Sequence, residues 1–195
     1  MPRWREVALL LALAGPFALA DAQSGTPRRG PFATRPAVAG SLGVMLPQGE
    51  LAERYDWGPT FKGSLHIPLR GRILMVAEGA YARLPVLEQP VDGELPTRDG
   101  QLVGGAAHLI VPIGGSRLPV PGLGRGAPYL LGGGGLYRFD RERRTESFRP
   151  SAVGGLGLSF DAPGFHEAFI EVRVMGMSLT EYTAVMIPIT AGFRW

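Results

Sequence analysis

From Pro36 to Trp195 the chain alternates apolar with small or polar residues at a period of two, in eight stretches separated by Gly-, Pro- or charge-rich links. That period puts successive side chains on opposite faces of a β-strand. The stretches are Pro36–Pro47, Trp57–Leu69, Arg72–Leu84, Gln101–Pro112, Ala127–Phe139, Ser151–Phe160, Phe165–Met175 and Tyr182–Trp195. The last is the clearest. Val185, Ile187, Ile189, Ala191, Phe193 and Trp195 share one face, and Ala184, Met186, Thr190, Gly192 and Arg194 the other. In the second stretch Phe61, Leu65 and Ile67 oppose Thr60, Lys62, Ser64 and His66. In the seventh Ala168, Ile170, Val172 and Val174 oppose Glu167, Glu171 and Arg173.

Eight such strands suit either a soluble barrel or sandwich, with its polar face in water, or a membrane barrel, with its apolar face in lipid. The second face decides between them. It is rich in Gly, Ala and Ser with a few isolated charges per strand, which suits a narrow lumen better than a water-washed surface. The strands are also long enough, since a spanning strand needs about 9–11 residues. The expected fold is therefore all-β: an eight-stranded antiparallel up-and-down transmembrane β-barrel over residues 36–195. Links after odd-numbered strands (48–56, 85–100, 140–149 and 176–181) are expected outside. Those at 70–71, 113–126 and 161–164 are expected on the periplasmic side, the middle one longer than such turns usually are.

The N-terminus changes the picture by adding an address. Arg3 and Arg5 precede the apolar run Val7–Ala14, Gly15-Pro16 breaks it, and Ala18-Leu19-Ala20 meets the small-x-small cleavage rule. Residues 1–20 read as a cleavable signal peptide, with a second site after residue 22. Residues 21–35 are polar and Pro/Gly-rich, and read as a disordered lead-in. Glycine (29) and proline (18) are abundant without a collagen period, as many strands and turns require. The net charge is only +3, and its arginines are scattered, so there is no nucleic-acid footprint. There is no cysteine, which excludes disulfides, thiolate metal sites and a lipoprotein anchor.

These features together resemble the small outer-membrane β-barrels of the OmpA, OmpX and OmpW type. The residues that carry the likeness are Gly40–Leu51 as a first strand and loop, Ala127–Phe139 as a fifth strand and Ile189–Trp195 as a last one. The resemblance implies an outer-membrane location and, through Phe193 and Trp195, a terminal aromatic signal read by the barrel-assembly machinery. It implies a structural, adhesive or surface-interaction role with outer-membrane lipid and lipopolysaccharide as surroundings, and an extracellular partner that it does not name. Two other readings stay open: an OmpW-like channel or hydrophobic-ligand conduit, and a soluble exported calycin-like binder.

No catalytic, cofactor or metal site is expected. Ser64 and His66 share a face, but residues two apart on a strand lie about 6.6 Å apart, too far for direct contact without distortion. His108 and His166 have no partners at metal spacing. Gly132–Gly135 reads as close backbone packing in a barrel wall, because no helix follows it to make a phosphate cradle. The expected lumen network is Lys62, Glu78, Glu167, Glu171, Arg173 and Arg194. A three-residue hairpin loop at 69–71 would set Lys62 opposite Glu78, and a four-residue loop at 179–182 would set Glu167 opposite Arg194. Arg138, Arg141, Arg143, Arg144 and Arg149 form a basic segment able to meet lipid phosphates or a partner, although Asp140, Glu142 and Glu146 partly neutralise it.

Overall fold

The computed structural model describes residues 35–69, 72–87, 98–114, 118–120, 124–141, 144–145, 147–162, 165, 167–179 and 182–195. Residues 1–20, which read as a signal peptide, and all of the expected lead-in but Arg35 lie outside these residues, as do Arg143 and His166. Among the described residues the strands are β1 (Ala37–Gln48), β2 (Gly58–Pro68), β3 (Leu74–Leu84), β4 (Gly100–Pro112), β5 (Leu118–Val120), β6 (Gly124–Arg141), β7 (Arg144–Thr145), β8 (Arg149–Phe160), β9 (Glu167–Ser178) and β10 (Thr183–Arg194). Eight of them, all but β5 and β7, pair each to the next in chain order, and β10 pairs back onto β1. All pairings are antiparallel, and the ring is closed.

A walk along one hydrogen-bonded row measures the stagger. It leaves β6 at Ala127, passes Ser159, Phe169, Gly192, Ser41, Lys62, Ala80 and Gly104, and returns to β6 at Tyr137. The displacement is ten residues (137 − 127) over eight strands. With about 3.3 Å of rise per residue and about 4.8 Å between strands, the strands tilt by roughly 40°. The interior is then just wide enough for side chains.

Three local features differ from expectation. The links 113–126 and 140–149 are not irregular throughout. β6 is 18 residues long, and its two ends are met by β5 and β7, which pair with Gly124–Gly126 and with Asp140 and Arg141. Backbone groups of a projecting strand need partners, and these short strands supply them. The third difference is the β2–β3 register. Pro68 pairs with Leu74 and Lys62 with Ala80, so Glu78 stands opposite Ser64 and not Lys62. The hairpin loop spans residues 69–73, with the Leu69 N–H donating to the Ile73 carbonyl at 2.8 Å. The pairing thus moves by two residues, and a shift of two keeps every side chain on its face where a shift of one would invert it.

The long links leave from one end of the barrel, and there the lumen is apolar. Met45, Leu84, Leu102, Phe139, Met177 and Met186 are buried together, under Leu51 and Tyr55 from the link after β1. Tyr55 meets Phe139 edge-on, with ring centroids 5.5 Å apart. A smaller apolar cluster (Leu74, Val76, Ile110, Tyr129, Leu131 and Val153) lines part of the other half.

Candidate functional site

Between the apolar clusters four charged side chains meet across the lumen. Lys62 enters from β2, Glu78 from β3, and Glu171 and Arg173 from β9, each on the inward parity of its strand. Arg173 is the hub. Its Nη1 donates to both oxygens of Glu78 at 2.7 Å, while its Nη2 and Nε donate to Glu171 Oε2 at 2.6 and 3.0 Å. Lys62 Nζ reaches the same Glu171 oxygen at 3.2 Å. Two tyrosines from β6 complete the carboxylates: Tyr129 donates to Glu171 Oε1 at 2.8 Å and Tyr137 to Glu78 Oε1 at 3.4 Å. The four charges balance. That matters because an unpaired ion so deeply enclosed costs several kcal/mol.

At the opposite end from the long links, Arg194 lies directly across from Glu167 and forms an ion pair with it. The Arg194 guanidinium also sits 5.8 Å from the centre of the Phe169 ring. Arg194 is fully buried although it is the penultimate residue.

Small residues make room for this network. Gly157 stands opposite Tyr129, and a Cβ there would come within 2.2 Å of the tyrosine ring, so the glycine is what lets the ring lie across β8 towards Glu171. The Gly132–Gly135 run belongs to β6, in the wall. At Gly133 a Cβ would stand 2.2 Å from the Ala107 carbonyl oxygen of β4, a close approach of two strands.

Ser64 and His66 are closer than strand geometry implies: Ser64 Oγ and His66 Nε2 are 2.9 Å apart. The rise separates their Cα atoms, but the imidazole folds back along the strand and recovers the distance. His66 Nδ1 has no hydrogen-bonding partner among the described residues, so none of them serves as a third group to orient the ring. The ring is buried, facing the lumen.

Phe193 and Trp195 occupy the outer face of the closing strand. Phe193 stacks on Phe165 with centroids 4.5 Å apart. Trp195 lies over Gly40, and its backbone exchanges hydrogen bonds of 3.1 and 3.0 Å with Val38 where β10 meets β1. Of the basic segment, the side chains of Arg138 and Arg149 are described, and they do not share a face. Arg138 bonds Asp140 at 2.9 Å and covers the Phe148 ring at 5.9 Å. Arg141 and Arg144 pair on the β6–β7 ribbon, and Arg149 opposite Tyr137 has the other parity from Arg138.

Met186 was already on the inward face by alternation, whereas Tyr129, Tyr137, Met45, Met175, Met177 and the Leu51–Tyr55 cover were not picked out by sequence reasoning. Inward parity on the fifth strand is the signal that would have found Tyr129 and Tyr137.

No protein-family model matches the sequence, and no match is found among curated proteins. The fold, in contrast, is shared with solved structures. The Neisserial surface protein A crystal structure superposes with a TM-score of 0.55 at 16% identity, covering 82% of this chain and 95% of that one. The Yersinia pestis outer membrane protein Ail, in a phospholipid bilayer nanodisc, superposes with a TM-score of 0.50 at 15% identity, covering 82% of this chain and 99% of that one.

Proposed function

We propose that this chain is an integral outer-membrane β-barrel with a structural, adhesive or surface-interaction role, delivered by the signal peptide at residues 1–20. One observation carries the reading: the molecule is inside out. Leu42, Phe61, Leu136, Leu156 and Val174 are more than half exposed around the outer wall, while Arg173, Glu171 and Arg194 are buried at its centre. Apolar area of this extent on a monomer belongs against lipid or a partner. The shared fold supports lipid, since the Yersinia pestis outer membrane protein Ail adopts it in a phospholipid bilayer nanodisc. Phe193 and Trp195 then serve as interface anchors and as the signal to the assembly machinery. Arg138, on the outer face of the long-link rim, meets lipopolysaccharide phosphates or an external partner.

The balanced ion network and the apolar packing beneath Leu51 support a side-chain-filled lumen, so the role is not that of a conduit, and no enzymatic step is assigned. Full-length protein refolded in detergent should migrate differently before and after boiling, and should show no steady conductance in planar bilayers. Identical mobility would remove the membrane reading. Reproducible single-channel steps would replace the filled lumen with a pore.

A further inference from the structure

The chain has six methionines, and four of them, Met45, Met175, Met177 and Met186, are buried together at the long-link end of the lumen. They come from three adjacent strands, β1, β9 and β10. Met175 and Met186 are directly opposed in the β9–β10 ladder, which places their Cα atoms about 4.5–5.5 Å apart. Met177 follows Met175 on the same face and stands opposite Ala184. Met45 pairs with Pro188, two residues from Met186, again on the lumen face. Each of the four is at most 3% exposed. Among the described residues the other buried apolar side chains are Leu, Ile, Val, Ala and aromatics, and Met75 points outward.

We propose that these four thioethers form a binding site for a soft monovalent metal ion, copper(I) or silver(I). Thioether sulfur selects soft d¹⁰ ions over hard ones. The site offers no thiolate or carboxylate of its own, so a divalent ion would enter without charge compensation, whereas a weakly hydrated monovalent ion carries the smallest desolvation cost. The unbranched methionine side chain, with three rotatable bonds, lets sulfurs from neighbouring strands converge on one point. Tyr55 and Leu51 lie above the cluster, so entry requires the link after β1 to lift. The proposal goes beyond the surface role and does not depend on where the barrel resides.

The test is silver(I) titration of refolded full-length protein in chloride-free detergent buffer, followed by native mass spectrometry. The absence of cysteine removes thiol background. A single silver ion per folded barrel is expected. In a Met175→Leu/Met186→Leu variant that keeps its heat-modifiable mobility, binding should weaken by more than about 100-fold, since loss of even an outer-shell partner costs roughly 10–100-fold. His66→Gln/His108→Gln should bind as the parent does. X-ray absorption of the copper(I)-loaded parent should show sulfur neighbours, and this readout stands if the double variant does not fold. Absence of uptake, uptake that survives both leucines, loss on histidine replacement, or a shell of nitrogen and oxygen alone would each overturn the site.

Discussion

At the long-link end the lumen is lined by Leu84, Leu102, Phe139 and the methionines, whose side chains need no hydrogen-bond partner. Midway along it holds Lys62, Glu78, Glu171 and Arg173, buried charges that are costly to leave unpaired. The two regions fill the same barrel with opposite rules. Apolar packing responds to volume and is forgiving of which side chain provides it. A buried ion network responds to geometry and partner count, and punishes the removal of one member far more than the removal of a matched pair. As far as stability is concerned, the loop end can therefore vary while the middle holds one arrangement.

That contrast can be broken first at the hub. Arg173→Met leaves Glu78 and Glu171 sharing only Lys62 and the tyrosines. It should destabilise the barrel by about 3–5 kcal/mol, read as a lower urea midpoint for the heat-modifiable form. Combining it with Glu78→Leu leaves the Lys62–Glu171 pair balanced and should recover part of that loss. If the double variant is no more stable than the single, charge balance is not what holds the middle together.

A smaller effect is expected at the edge of the network. Tyr129→Phe removes the 2.8 Å hydrogen bond to Glu171 Oε1 while keeping the ring over Gly157. A hydrogen bond to a charged group contributes roughly 1.5–3 kcal/mol, and the same urea titration should show a fall in that range. An unchanged midpoint would mean that Glu171 is satisfied by its cations alone.

The smallest change belongs to the loop end. Met177→Leu keeps volume and polarity and should cost less than about 1.5 kcal/mol in the same assay. A loss as large as that of Arg173→Met would show the apolar end to be as geometrically demanding as the ionic one, and the comparison would fail.

Much of this was legible in the residue order. The inward and outward faces of β2, β9 and β10 follow directly from alternation, because lumen and outer surface sort side chains one residue at a time. The opposition of Glu167 and Arg194 follows from a four-residue link. The ribbon at β6–β7 was hidden, since Asp140–Arg149 is too charged to read as strand, and its pairing continues only because β6 projects beyond the wall.

By itself the sequence determined the number of wall strands, their antiparallel order and the alternation of faces along a strand, because those depend on a two-residue period and on short connections. Only the tertiary structure decided who meets whom across the lumen. A loop of five residues in place of three moved Glu78 away from Lys62 without changing either face, and the ten-residue stagger then brought Lys62 to Glu171, 109 positions away. Stagger and closure are sums over every hairpin in the ring, so a partner across the barrel cannot be read from any one strand. For the same reason Met45 joined Met175, Met177 and Met186, which one hairpin already sets together, only when β10 closed on β1.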